Sequence, residues 1–230
     1  MDKLEHIAFI MDGNRRWEAE NNLKKYDGYK KGTTVITKIL EKALELEIKH
    51  ISVYAFSSEN WQRPLKDIAA LMKIGINWLD DNLDFMMEKG IKCTIIGNRA
   101  LLPFGFLSKA EYIEELTKDN KNLSFHIAIS YGSRDEVIRA LNRLKDKFMK
   151  NASFELNEEN FSQFLDTNSI PDPDLLIRTG GQKRLSNYML WQMAYTEFMF
   201  IDKLWPDFSA CDFQKCIDDF YEVDRRFGIL

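Results

Sequence analysis

Short apolar runs and helical periodicity alternate along the chain. HIAFI at 6–10 is apolar after its first residue, as a strand buried on both faces requires. Val35, Ile36, Ile39, Leu40, Ala43 and Leu44 recur at spacings of three and four, which predicts an amphipathic helix over 33–46. The apolar run 51–56 predicts the next strand. Pro64 suits a first helical turn, and the pattern then predicts one long helix to about residue 89, closed by Gly90. Further on, strands are expected at 93–97, 123–130, 175–178 and 197–201. Helices are expected at 109–118, 132–150, 157–165 and 211–226. This order predicts an α/β fold: one domain over residues 1–230, with a mostly parallel sheet covered on both faces by helices. SIPDPDL at 169–175 carries two prolines but reads as a loop feeding a strand, not as a domain boundary.

Composition narrows the picture. The 230 residues are 45% apolar and 30% charged, a globular balance with material for a real core. The formal charge of −4 argues against an overall attraction to nucleic acid, while allowing a local basic pocket. Cys93, Cys211 and Cys216 are too few to staple a secreted domain and are expected to be free thiols in a reducing compartment. Three histidines, His6, His50 and His126, argue against a His-rich metal site on composition and read as structural residues near strands. No signal-peptide pattern opens the sequence. The most apolar long stretch, 188–201, is interrupted by Gln192, Thr196 and Glu197 and is too short to span a bilayer. The expectation is a soluble cytoplasmic protein that at most rests on a membrane surface.

In parallel sheets, ligands collect beyond the carboxyl ends of strands. Three loops stand there. The first is Met11-Asp12-Gly13-Asn14-Arg15-Arg16-Trp17, a carboxylate straight off a strand beside a glycine and two arginines. That grouping suits a metal-bound phosphate or diphosphate, although a plain turn with surface arginines would read the same way. The second runs from Ser57 to Pro64 and offers hydroxyls, Glu59, Asn60 and Arg63 at a helix start, where an ordinary cap is the simpler reading. The third, Arg178 to Asn187, packs three cationic side chains, Gly180-Gly181 and two hydroxyls into ten residues, a pattern able to nest an anion. Neither a Walker A loop nor a G-x-G-x-x-G is present. With Trp17 and Trp61 alongside, the loops fit a diphosphate carrying an apolar body better than a polynucleotide.

The blocks HIAFIMDGNRRW, YAFSSENWQRP, YGSRDEV, IRTGGQKRLSNYMLWQMAYTEFMFIDKLWPDF and RRFG resemble the signatures of undecaprenyl diphosphate synthases. These are the bacterial branch of the cis-prenyltransferases, or isoprenyl transferases. The likeness runs in order from His6 to Gly228. It implies Mg²⁺-dependent condensation of isopentenyl diphosphate onto an allylic diphosphate such as farnesyl diphosphate, with undecaprenyl diphosphate as the expected product. It assigns Asp12 to catalysis and to Mg²⁺ binding, Glu197 to a second Mg²⁺ position, and Asn60 to proton acceptance. Gly13, Asn14, Arg15, Arg16, Trp17, Lys25, Tyr29, Ser57, Ser58, Glu59, Trp61 and Arg63 would surround the allylic substrate. Arg178, Arg184, Leu185 and Ser186 would surround isopentenyl diphosphate. Arg226 and Gly228 would complete a site across a homodimer. The chain departs from the family pattern at Arg15 (usually glycine), Lys25 (arginine), Tyr29 (often histidine), Ser130 (asparagine) and Gln182-Lys183 (Glu-His). Lys25 keeps the charge but loses the guanidinium fork, and Tyr29 cannot take on a positive charge.

Asp80-Asp81-Asn82-Leu83-Asp84 matches the D-D-x-x-D of the unrelated all-α trans-type enzymes. Those need two such motifs on helices. Here Lys73, Asn77, Asp80, Asp84 and Glu88 instead form a polar stripe expected to face water. On the apolar side, Ile68, Leu71, Met72, Gly75, Leu79 and Met86 make one face, and Ile74, Trp78 and Phe85 a second stripe. The resemblance makes that second stripe part of a hydrophobic tunnel for the growing chain. A non-catalytic relative supporting another subunit, or a nucleotide- or RNA-phosphate module, are the competing readings. The presence of Asp12 and the arginines weighs against the first, and the missing nucleotide motifs and net charge against the second.

Overall fold

The computed structural model describes residues 4–150 and 156–225. Six strands form one wholly parallel sheet: β1 (His6–Ile10), β2 (His50–Ser57), β3 (Ile91–Ile96), β4 (Leu123–Tyr131), β5 (Leu175–Arg178) and β6 (Glu197–Phe200), in the order β3-β4-β2-β1-β5-β6. The central strands carry runs such as HIAFI because both their faces are covered. Eight helices accompany them among the described residues: α1 (Asn14–Glu20), α2 (Asp27–Glu45), α3 (Leu65–Asp81), α4 (Leu83–Lys89), α5 (Phe104–Thr117), α6 (Ser133–Lys150), α7 (Glu158–Ser162) and α8 (Ala210–Tyr221). The single α/β domain read from the alternation of patterns is the fold observed.

The two faces are packed differently. One face presents Ile7, Phe9, Ile51, Val53, Phe125 and Ile127 to α2, α3, α4, α5 and α8 in one large core. The other presents Ala8, Ile10, Ala128 and Leu176 to Tyr188, Met189 and Met193 from the turn-rich segment after β5. That second face is tied to α6 through buried Glu136, which accepts from Tyr131 Oη at 2.6 Å, from Gln192 Nε2 at 3.0 Å and from the Asp166 N–H after α7 at 2.9 Å. Burial raises the Glu136 carboxyl above its ordinary range, although these donors oppose the shift.

Several expected boundaries moved. The helix expected from 33 begins at Asp27, because Gly28 and Gly32 let α1 and the 205 segment lie against it where a side chain would collide. The long helix expected to residue 89 is two helices. At Asn82 the backbone leaves helical geometry (φ −111°, ψ 6°), while its side chain donates to Trp78 O at 2.8 Å and accepts from Thr37 at 2.9 Å. Such local side-chain bonds compete with the helix ladder. The residues after Gly13, expected as loop, form α1. Lys73, Asn77, Asp80, Asp84 and Glu88 are all exposed, as the polar-stripe reading requires, and Asp80 pairs with Lys109. The three cysteines are free, with only Cys211 exposed. Among the described residues no helix is long and apolar enough to cross a membrane.

Candidate active site

The first and third loops meet because β1 and β5 are neighbours in parallel register, Ile10 opposite Arg178. Both strands end at the same level, so Asp12 and the Arg178 loop emerge side by side. Arg178 donates from Nη2 to Asp12 Oδ2 at 2.9 Å and from Nη1 to Ser186 Oγ at 2.9 Å and to the Arg184 carbonyl. Its guanidinium is almost fully buried, at 4% side-chain exposure, while Asp12 keeps 30%. The pair therefore presents a rigid cation from below and a reachable carboxylate above. Arg16 Nη2 reaches the other Asp12 oxygen at 3.3 Å. Thr179 Oγ1 donates to the Asp12 carbonyl at 2.8 Å, and the Trp205 N–H donates to the same oxygen at 3.0 Å. The backbone of Asp12 is thus held at two points before any ligand arrives. Gly180 makes this closeness feasible: it sits at φ 82°, and a Cβ there would meet Arg16 at 2.3 Å.

Behind this mouth lies a cavity of about 410 Å³ between the sheet and helices α2 and α3. Asp12, Gly13, Asn14, Arg15, Arg16, Tyr29, Ser57, Asn60, Arg63, Arg178 and Ser186 line its polar end. Ile36, Val53, Leu71, Met72, Leu79, Phe106, Phe125, Ile127 and Ile129 line the apolar remainder. From Ile129 back to Phe125 along β4 the cavity wall runs about 13 Å at roughly 3.3 Å per residue. Ile74 and Trp78 of the expected second stripe are in the wall, but Phe85 is not, since the break at Asn82 turns α4 away.

Asn60 and Tyr29 line the cavity and also bond within the protein, while the remaining sequence candidates support the site from outside it. Asn60 Oδ1 accepts from the Ser57 N–H at 3.2 Å, so its only acceptor atom is engaged in capping. Trp61 Nε1 donates to Ser130 Oγ at 2.9 Å, bracing a serine at φ 51° where asparagine or glycine would be less strained. Glu59 Oε1 accepts from Asn187 at 2.9 Å and thereby ties the second loop to the third. Burial alone would raise the Glu59 carboxyl, but bonds from Asn187, Ser57 and Ser58 hold it below its usual value. Ser58 lies against Gly132. Lys25 pairs with Asp67 at 2.5 Å and Trp17 donates to Asp207 at 2.8 Å. Arg184 bonds Gln182 at 2.6 Å on the exposed loop, and Leu185 packs into the second-face core. Tyr29 Oη accepts from Arg63 at 3.4 Å. Arg226 and Gly228 lie outside the described residues.

Glu197, which the resemblance assigns to a second Mg²⁺ position, lies apart from Asp12 within the chain. Glu197 stands level with Leu175, which is level with Ile7, at the amino end of the strands. It is therefore about 10 Å along the strands from the mouth and two strands, about 10 Å, across. Glu197 and Asp12 of one chain cannot share a metal site. Among the described residues no group of three or more His, Cys, Asp or Glu side chains is arranged to hold a metal. Thr179 is one of the two hydroxyls read in the third loop, with no role assigned to it from sequence, and Tyr54 is missed by the sequence reading altogether. The Tyr54 ring stacks on Tyr188 with centroids 4.3 Å apart, and its hydroxyl donates to Tyr131 O at 3.1 Å across the site floor.

Residues 10–228 match the prenyltransferase family model described as "Putative undecaprenyl diphosphate synthase". The chain is 43% identical over 224 residues to the isoprenyl transferase of Aquifex aeolicus, covering 97% of this chain and 95% of that one. It is 43% identical over 226 residues to that of Bacillus cereus, covering 97% and 88%. Among solved structures, lavandulyl diphosphate synthase from Lavandula x intermedia in complex with dimethylallyl diphosphate superposes with a TM-score of 0.94 at 32% identity over 97% of this chain and 98% of that one. A probable undecaprenyl diphosphate synthase from Campylobacter jejuni superposes at 0.84 with 36% identity over 99% and 100%. With the paired loops over an apolar cavity and likeness along nearly the whole length, the chain belongs to the isoprenyl transferase family and is a prenyltransferase.

Proposed function

We propose that the protein condenses isopentenyl diphosphate onto an allylic diphosphate, with farnesyl diphosphate the expected primer and a cis-polyprenyl diphosphate such as undecaprenyl diphosphate the product. The observation that carries this reading is one cavity with Asp12 and four arginines at its mouth and a mainly apolar interior. Such a cavity suits an amphiphile with an anionic head. Arg15, Arg16 and Arg63 reach the allylic diphosphate, while Arg178 and Ser186 hold isopentenyl diphosphate. That the Lavandula neighbour holds dimethylallyl diphosphate supports an allylic diphosphate as the class of ligand.

Asp12 fits a Mg²⁺ ligand. Mg²⁺ is commonly bound by one or two carboxylates with substrate phosphates supplying the rest, and Asp12 offers a partly exposed carboxylate beside the diphosphate arginines. When bound, the ion supplies charge neutralisation for the leaving diphosphate. Asp12 would give up one of its arginine contacts to hold it. The arginines stabilise negative charge as the allylic bond breaks, in a cavity where apolar walls strengthen that interaction. Those walls align the two alkenes. Because a neutral amide is a far weaker base than a phosphate oxygen, an oxygen of the diphosphate is the better proton acceptor, and Asn60, whose oxygen accepts from the Ser57 N–H, shapes the loop. Glu197 would serve a site only from a partner subunit, and a homodimer completed by Arg226 and Gly228 is part of this reading. A lipid product also implies transient contact with the inner membrane surface.

The test is incubation of the purified protein with farnesyl diphosphate, radiolabelled isopentenyl diphosphate and Mg²⁺, followed by chain-length analysis. Label should enter butanol-extractable prenyl diphosphates, stop with EDTA, and fall by about 100-fold or more in Asp12→Asn. No incorporation by the folded wild type with any allylic primer would sink the elongation reading.

A further inference from the structure

A second cavity, about 670 Å³, lies in the groove between α2 and α3, lined by Thr34, Thr37 and Asn77 among others. It shares Thr33, Ile74 and Trp78 with the inner cavity. These three residues are therefore a wall with space on both sides. Trp78 is the bulk of that wall. Its ring meets Phe125 edge to face with centroids 5.7 Å apart, and its Nε1 donates to Thr33 O at 3.1 Å. At 8% exposure the indole is a plug, fixed at one end by the hydrogen bond and at the other by packing. The helix break at Asn82 lies one turn further along, where its side chain donates to Trp78 O and accepts from Thr37 of α2.

We propose that Trp78 is a specificity-determining residue that sets the length at which the prenyl chain stops growing, and that the α2–α3 groove is the route open to a longer chain once this side chain is reduced. The occupant is the distal, apolar end of the product. Growth adds each unit at the mouth and pushes the far end inward, so the first immovable wall decides when elongation ends. Beyond Trp78 the groove offers threonine methyls and the aliphatic stems of Lys30 and Lys38, surfaces able to cover hydrocarbon, set among the polar Glu41, Asn77, Asp81 and Asn82. The inference rests on the elongation reading. Label incorporation by the wild type tests that reading, whereas product length in the variants tests this one, so the two failures are separable.

The experiment compares product length, by reversed-phase separation and mass spectrometry, for wild type, Trp78→Ala and Trp78→Leu under the same substrate ratio. Trp78→Leu keeps the core filled if the alanine variant does not fold. The expected result is a shift of the main product by at least one isoprene unit toward longer chains. Adding Thr34→Trp in the groove should move the product back toward the wild-type length. An unchanged length in folded Trp78→Leu would overturn the proposal. A lengthened product that Thr34→Trp does not shorten would overturn the route through the groove.

Discussion

Arg178 shows how much one residue can be asked to do at this site. It is buried, satisfied by Asp12, Ser186 and the Arg184 carbonyl, and aimed at the mouth. Replacing it with alanine removes a charge-assisted contact worth about 1.5–3 kcal/mol. We expect Arg178→Ala to raise KM for isopentenyl diphosphate by about 10–100-fold while changing allylic diphosphate affinity by much less. Steady-state kinetics with each substrate varied, together with equilibrium binding of the allylic diphosphate, checks this; an equal loss for both would mean the two heads share one anion site. At this scale the motifs were partly legible. Asp12, Arg16 and Arg178 reach the cavity as their loops suggested. Trp61 and Glu59 belong to the same motifs, and Lys25 to the same implied site, yet they bond to Ser130, Asn187 and Asp67. A motif marks residues that must stay together and does not say which face the ligand.

Helix α5 protects an edge that the sheet would otherwise leave open. β3 is an outer strand, and its outward N–H groups at Cys93 and Ile95 donate to Thr117 Oγ1 at 3.1 Å and Glu114 Oε1 at 2.7 Å. Glu114 also pairs with Arg99 at 2.6 Å, and that carboxylate is the first cause holding the guanidinium proton more tightly than usual. An uncovered edge is a template for aggregation. Glu114→Ala should therefore destabilise the fold by about 2–3 kcal/mol, since it orphans a strand N–H and an ion-paired arginine. Urea denaturation read by circular dichroism measures this, and a loss under about 0.5 kcal/mol would contradict the assignment. The same scale exposes the limit of periodicity. The stripes of α3 and α4 read as one helix because the break at Asn82 is made by a bond to Thr37 of α2, a partner far away in sequence.

Across the whole molecule, the end of the sheet opposite the active site gathers His6, His50 and His126 from three adjacent strands. His6 bonds Pro171 O at 2.6 Å and Ser52 Oγ at 2.7 Å. His50 and His126 stack with a ring nitrogen contact of 3.1 Å. Burial lowers all three, with His6 held down at about 4. Between about pH 6.5 and 4 the unfolded chain binds a proton at His6 that the folded chain refuses, so stability is lost as pH falls through that window. For His6 alone the loss approaches about 3 kcal/mol. The urea midpoint should fall from pH 7 to pH 5, and His126→Leu, which removes one of the buried imidazoles, should flatten that slope. A midpoint independent of pH over this range would show that the imidazoles titrate alike in both states.

The sequence by itself determined the parallel α/β class, the order of the strands along the chain with most of the helices between them, and the strand-end loops that carry Asp12 and Arg178. These follow from periodicity and from residue chemistry, which act over a few neighbours. It also placed the three histidines near strands, without the contacts that gather them. Only the tertiary structure decided which loops meet, because strand order in the sheet depends on contacts between residues more than 150 positions apart, as with Asp12 and Arg178. The same long-range packing set Glu197 at the far end of the sheet, engaged the Asn60 oxygen in a cap, and made Trp78 a wall between two spaces. Cavities are what packed elements leave between them, and no single stretch of sequence contains one.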